Sequence, residues 1–178
     1  MPENDLYLGI DLGTTALKVA VFDARKGRLV AGHSARLPVR TGTDGAREQD
    51  PRALLTSFRR VVARVRNEVG HGWRRVTAVG VASQGGSTII ADRGTGEPRT
   101  PMYLWNDGRA YPELGNILDE TGVPFWRKAT WRDDPGMGLA RIRWIRTQSP
   151  ELFPPDTIYI GAGEILFFHL TRQWRPEA

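Results

Sequence analysis

Leu8-Gly9-Ile10-Asp11-Leu12-Gly13-Thr14-Thr15, continuing through Lys18 to Asp23, is the stretch on which the fold turns. Leu6, Leu8 and Ile10 alternate onto one face, and Leu17, Val19 and Val21 repeat the pattern after the Gly13-Thr14-Thr15 break. That is the period of two half-buried strands joined by a turn. Asp11 stands where the first strand ends, so its carboxylate projects into the turn and can hold Mg²⁺, usually through water. Gly13 frees the backbone to turn, and the amides and hydroxyls of Thr14 and Thr15 offer donors suited to phosphate oxygens. Lys18 adds a cation on the second strand, where charge developing on a transferred phosphoryl group would be met. The same spacing also describes a plain β-hairpin closed by a Gly-Thr turn, and the residues alone leave both readings open.

Outward from this hairpin, a third strand is expected over Arg28 to Leu37 after the Arg25-Lys26-Gly27 turn, giving an antiparallel meander. Asp50-Pro51 then announces a helix, Asp50 as cap and Pro51 in the first turn. Leu54, Leu55, Phe58, Val61, Val62, Val65 and Val69 form its apolar stripe, and Gly70 stops it. Val76 to Ser83 reads as a buried strand, Ser87 to Asp92 as a second, and Met102 to Trp105 as a third. Helices follow over about Arg109 to Glu120 and through Leu139, Ile142, Trp144 and Ile145, until Ser149-Pro150. Thr157 to Ile160 is extended, and Glu164 to Leu170 is an apolar helix. Strands first and then mixed elements make an α/β layered domain with a mixed sheet flanked by helices.

The bulk properties bound the function. The 178 residues are 40% hydrophobic and 25% charged, with a net charge of +5. The excess is arginine, and it is scattered: Arg59, Arg60, Arg64 and Arg66 fall at helical spacing among apolar residues, which reads as a solvated helix face and not as a nucleic-acid footprint. No apolar run approaches the ~20 residues of a membrane span. Met1 to Asp5 is acidic and lacks the basic start and apolar core of a secretion signal. With no cysteine in the chain there is neither a disulfide framework nor a thiolate metal site, and a cytoplasmic setting is expected. His33, His71 and His169 show no metal-ligand spacing.

Two further stretches carry groups suited to a polyol. Gln84 both donates and accepts, Asp107 accepts from two hydroxyls, Trp105 offers a flat wall, and Gly85-Gly86 admits a ligand close to the backbone. Asn106-Asp107-Gly108 is also a common turn sequence, and Trp105 would serve equally as core.

Taken in order, these stretches resemble a known family. The Leu8–Lys18 string is similar to the first phosphate motif of the actin-like ATPase superfamily, shared by sugar kinases, heat-shock chaperones and actin. There is no Gly-x-x-x-x-Gly-Lys-Ser/Thr loop and no Gly-x-Gly-x-x-Gly after the first strand. Glu48-Gln49-Asp50-Pro51, Val79-Gly80-Val81-Ala82-Ser83-Gln84 and Trp105-Asn106-Asp107-Gly108-Arg109 resemble motifs of the FGGY carbohydrate kinases, the last in wording common among xylulose kinases. The order of Trp144, Pro150-Glu151-Leu152-Phe153 and Leu170-Thr171 fits too, so the resemblance runs from Leu6 to about Thr171.

The resemblance implies an actin-like, ribonuclease H-like fold and ATP-dependent phosphorylation of a sugar or polyol hydroxyl, with Mg²⁺. It assigns Asp11, Gly13, Thr14, Thr15 and Lys18 to the nucleotide phosphates and metal. It assigns Gln84, Gly85, Trp105, Asp107 and Arg109 to the sugar. The chain departs from the family at Gly85-Gly86-Ser87, where xylulose kinases carry Met-His and glycerol kinases Arg-Glu after the glutamine, so the sugar does not carry over. The family's aspartate base is expected beyond Ala178, and the adenosine pocket in a C-terminal domain. Residues 1–178 are therefore expected to form a partial N-terminal domain of a truncated or split product with little activity alone. A separate C-terminal kinase polypeptide would be its partner. The competing functions are a non-catalytic remnant that binds a sugar or a partner, and a chaperone-type ATPase suggested by the first motif alone. The apolar helix from Glu164 is expected to expose part of its surface and to favour self-association.

Overall fold

The structure, a computed structural model, describes residues 6–174. The acidic opening Met1 to Asp5 and the last residues of the tail, 175–178, lie outside the described residues. The chain divides into two compact units, one of residues up to Pro38 with Asp50–Gln84, the other of Val39–Gln49 with residues from Gly85 onward.

The first unit is a four-stranded sheet and one long helix. Strands β1 (Leu6–Leu12), β2 (Ala16–Asp23) and β3 (Arg28–Arg36) form the expected meander, and β6 (Val76–Ser83) adds on the other side of β1, in the order β3-β2-β1-β6. The β1–β2 pair is antiparallel with Ile10 opposite Val19 and Asp11 opposite Lys18. The β1–β6 pair is parallel, with Ile10 opposite Val81. Helix α1 (Pro51–Val69) starts where Asp50 accepts from the Arg52 amide at 2.8 Å and ends at Gly70, whose φ is 59°. Its stripe Leu54, Leu55, Phe58, Val61 and Val65 is buried, and the helix packs on β2 and β3.

One expectation fails here. Val76–Ser83 is a strand, but it is not buried: Val79 is 53% and Val81 46% exposed, and neighbours on both faces are open to solvent. The physical reason is position. Its inner edge pairs with β1, while no described strand pairs with its outer edge, and the helix that covers the sheet lies over β2 and β3.

In the second unit β4 (Arg40–Thr41), β5 (Arg47–Gln49) and β8 (Met102–Tyr103) form a small sheet. Strand β7 (Ile89–Asp92) pairs antiparallel with β9 (Thr157–Ile160), Ile90 opposite Tyr159. A bridge between Thr88 and Tyr103 ties the two ladders. Helices α2 (Tyr111–Thr121), α3 (Val123–Thr130) and α4 (Gly136–Gln148) gather around Ala110, Ile117, Trp126 and Ala140. Ile90, Tyr103 and Ile145 centre a second cluster with Trp144, Leu152 and Phe153 against them. Helix α3 was not expected, yet Gly122 at φ 76° followed by Val123-Pro124 is a stop and a start signal in succession.

Helix α5 (Ala162–Thr171) is covered over part of its surface. Glu164 reaches back to accept from the Gly161 amide at 2.8 Å, and Ala162, Ile165, Leu166 and Phe168 are buried. Trp174 stacks on Phe168 with ring centroids 4.0 Å apart. Phe167 is half-buried and Leu170 is 48% exposed, so part of this helix stays open as expected, and β6 adds a further open apolar surface.

Candidate functional site

The turn between β1 and β2 is set by its ladder. Because Asp11 and Lys18 are cross-strand partners, their side chains emerge on one face, and Lys18 Nζ donates to Asp11 Oδ2 at 3.1 Å. Both side chains are more than half exposed, so this pair adds little to stability and stays open to ligands. The Gly13 amide closes the turn onto the Ala16 carbonyl at 3.1 Å, and a Cβ at Gly13 would stand 3.2 Å from that same oxygen. A side chain at Gly13 would therefore press on the turn's own hydrogen bond.

Gln84 follows β6 directly. Its amide donates to the Leu12 carbonyl at 2.8 Å, extending the β1–β6 pairing, and its side-chain oxygen accepts from the Thr14 hydroxyl at 3.0 Å. Thr15 holds the Leu37 amide through its carbonyl at 2.9 Å. Asp11, Gly13, Thr14, Thr15, Lys18 and Gln84 thus form one cluster on the first unit. The sequence had assigned Gln84 to the other ligand.

The second unit carries the turn Trp105 to Arg109. The Leu104 amide bonds to the Arg47 carbonyl and the Asp107 amide to the Leu104 carbonyl, both at 2.9 Å. Trp105 is 57% exposed, a free aromatic face. Asp107 is the opposite case, at 1% exposed. Its Oδ1 accepts from the Arg109 amide at 3.2 Å and from Arg109 Nε at 3.1 Å. Its Oδ2 accepts from the Arg47 amide at 2.9 Å and Arg109 Nη2 at 2.7 Å. A carboxylate has about four acceptor positions, and here protein donors take them all. In this arrangement Asp107 has no lone pair left for two sugar hydroxyls.

Arg109 is held as firmly. Its Nη2 also donates to Glu48 Oε1 at 2.6 Å, and its guanidinium lies 5.1 Å from the Tyr103 ring centre and 5.0 Å from that of Trp144. Glu48 accepts Arg40 on its other oxygen. Burial alone would raise the Asp107 pKa, but the Arg109 side chain and the Arg47 and Arg109 amides outweigh it and hold the group below the usual carboxylate value. Burial opposes the charge on Arg109, and Asp107 and Glu48 more than restore it. Burial pushes the Tyr103 phenol up. Glu48 was quoted in a motif leading into α1 but given no role; its part as a buried counterion is the residue that sequence reasoning missed.

Gly85 and Gly86 differ. Gly86 has φ +70°, and a Cβ there would come within 3.2 Å of the Trp105 Cβ; Gly85 faces open space. Gly86 lines an open cleft of about 810 Å³ together with Leu114 and residues 132–139. Ser87 is buried and accepts from the Ala162 amide at 3.0 Å, a packing role. No helix among the described residues is long and apolar enough to cross a membrane.

Comparison with known proteins places the chain in a family. Residues 6–177 match the N-terminal domain of the FGGY family of carbohydrate kinases. A xylulose kinase from Streptomyces coelicolor is 31% identical over 151 residues, 84% of this chain and 30% of that protein. A gluconokinase from Bacillus subtilis is 27% identical over 94% of this chain and 32% of its own length. The crystal structure of gluconate kinase from Lactobacillus acidophilus superposes with a TM-score of 0.82 at 22% identity, covering 96% of this chain and 34% of that one. This chain spans about a third of the length of the relatives it matches. The shared fold is the mixed α/β fold of the actin-like ATPases, and the family match sets aside the chaperone reading. With motif order, fold and similarity in agreement, the chain belongs to the FGGY family of carbohydrate kinases and matches its N-terminal domain.

Proposed function

We propose that this chain contributes the first phosphate-binding turn and the sugar-binding surface of a kinase that uses ATP to phosphorylate a hydroxyl of a sugar or polyol. The observation that carries the reading is the β1–β2 turn: an exposed carboxylate, an exposed ammonium and two threonines around a glycine-closed bend, with Gln84 tied to Thr14. Mg²⁺ fits there. An ion that keeps most of its waters needs only one or two carboxylates plus substrate phosphates, and Asp11 offers one exposed carboxylate. When bound, the metal would neutralise charge on the transferred phosphoryl group. Thr14 and Thr15 would orient phosphate oxygens, and Lys18, released from Asp11, would meet the developing charge.

On the sugar side, Trp105 supplies the apolar wall and Gly86 the close backbone approach beside the cleft. Asp107, its acceptor positions filled, and Arg109, donating to it through Nε and Nη2, hold that turn in place. The Gly85-Gly86-Ser87 departure leaves a sugar acid, a deoxy sugar or a larger polyol as the candidate substrates. The general base is an aspartate supplied by polypeptide beyond this chain, either continuous with it or separate, and such a polypeptide is the chain's partner.

The test is sugar-dependent ADP release from Mg-ATP, with D-xylulose, D-gluconate and glycerol as probes. The chain alone should show less than ~1 s⁻¹, the low end of ordinary turnover. Supplying the remaining two-thirds of a relative's chain in trans should restore turnover, and Asp11→Asn should abolish it. Full turnover by the chain alone would refute the division of labour.

A further inference from the structure

Arg141 sits on α4 with 1% of its surface exposed, the largest of the fully buried side chains. All its hydrogen bonds go to uncharged acceptors: Nη1 to the Gly86 carbonyl and, at 3.4 Å, to the Thr88 hydroxyl, and Nη2 to the Trp105 carbonyl at 2.7 Å. Its Nε is buried with no partner at all. Burial pushes its pKa down, yet an arginine stays protonated in a protein. A buried cation bonded to no carboxylate is costly, and a Met or Leu of similar volume would fill the same space without that cost.

What an apolar side chain cannot do is bridge. Gly86 belongs to the connection between β6 and β7, and Trp105 follows β8, so the two carbonyls come from separate loops. The planar guanidinium presents two parallel donors at fixed spacing, and here each donor takes one loop. The two loops also run close together, since a Cβ added at Gly86 would stand 3.2 Å from the Trp105 Cβ. The spacing between the glycine turn and the tryptophan wall is therefore fixed from beneath by one residue.

We propose that Arg141 is a positioning residue for the sugar surface, a two-pronged clamp that holds the Gly86 turn and the Trp105 wall in register without touching the sugar. The assignment rests on the reading that Gly86 and Trp105 bound that surface. A lysine would not replace it, because its three donors radiate from a single nitrogen and it lacks the two nitrogens held apart in a planar fork that reach the two loops here. Loss of the clamp leaves the helix and its apolar contacts in place and frees Trp105.

The experiment uses the 178-residue chain labelled with 5-fluorotryptophan, the Trp105 ¹⁹F resonance being assigned with Trp105→Phe. Without sugar, Arg141→Met and Arg141→Lys should both shift or broaden the Trp105 resonance and leave that of Trp73, in the other unit, unchanged. Affinity for whichever of D-xylulose, D-gluconate and glycerol the parent binds should fall roughly ten- to hundred-fold, the scale of a misplacement near 1 Å. In Arg141→Ala, ethylguanidinium should restore the Trp105 resonance and ethylammonium should not. An Arg141→Met chain with parental Trp105 resonance and affinity overturns the proposal, as does rescue by both cations alike. Should Arg141→Met fail to fold, the Lys variant and the two-cation comparison decide by the same criteria. If the parent binds none of the three sugars, the functional reading fails, while the sugar-free Trp105 resonance still decides the clamp.

Discussion

Replacing Asp107 with asparagine separates two roles that its place in the turn would allow. If the carboxylate is a sugar ligand, Asp107→Asn removes binding and leaves the fold intact. If it is the anchor the geometry shows, the fold suffers first. Asparagine keeps one carbonyl oxygen but turns an NH₂ either toward the Arg109 amide and Nε or toward the Arg47 amide and Arg109 Nη2, so two of the four bonds are lost. Removing one partner of a buried ion pair costs about 3–5 kcal/mol, because the other charge is left uncompensated. Glu48 still holds Arg109 at 2.6 Å, which places the expected loss near the low end, about 3 kcal/mol.

Urea unfolding followed by tryptophan emission measures this. With a slope of about 2 kcal/mol/M, the midpoint should fall by roughly 1.5 M. The double variant Asp107→Asn/Arg109→Met should cost about 1–3 kcal/mol less than the two single changes summed, because removing both charges leaves neither stranded. Since Asp107 is held below its ordinary value, its contribution is present above about pH 4 and lost as pH falls through the lower, folded-state value. A midpoint within about 0.2 M of the parent, with sugar affinity abolished, would refute the anchoring argument.

Asp92 accepts from the Gly94 and Thr95 amides and the Thr95 hydroxyl, which, with Thr95 foremost, hold its pKa at about 2. Its carboxyl ¹³C shift should titrate near that value, and its stabilising effect should persist above about pH 4 and vanish as pH falls through 2; a midpoint near 4 would contradict the turn geometry. Gly86→Ala, at φ +70° and 3.2 Å from Trp105, should cost about 1–2 kcal/mol, whereas Gly85→Ala, over open space, should be close to neutral by thermal melt. Equal costs at the two positions would show that the backbone there is not as described. Val79→Lys and Val81→Lys on the open β6 strand should reduce self-association in sedimentation velocity without lowering the melting temperature; a loss above about 2 kcal/mol would mean the strand is packed after all.

What could be read from the residues, and what could not, divides along the range of the forces involved. The β1–β2 hairpin and α1 were legible because period-two alternation, a capping aspartate and a stop glycine act within a few residues of one another. The strand at Val76–Ser83 was legible as a strand for the same reason, but its burial was not: that depends on what lies beside its outer edge and over its faces, and Val79 and Val81 carry no local sign of it. Helix α5 shows the same limit: Ile165, Leu166 and Phe168 are buried by packing that no local pattern reveals, while Leu170 on the same helix stays open.

The site divides in the same way. Asp11 and Lys18 are seven residues apart and pair through a ladder the alternation already fixes. Asp107 and Glu48 are linked through Arg109 across 61 residues of chain, so a carboxylate that looked free for hydroxyls proved to be filled by its own protein. Arg141 was hidden further. On a helix with other arginines at Arg143 and Arg146 it reads as one more solvated charge, and only the fold distinguishes it. Arg143 faces Glu113 and Glu120, where an ion pair suffices, while Arg141 turns inward to two carbonyls from separate loops. Groups that touch a ligand tend to lie in recognisable strings because the ligand imposes their spacing. Groups that hold those strings in place are chosen by the far side of the fold, and for them the structure is the first readable record.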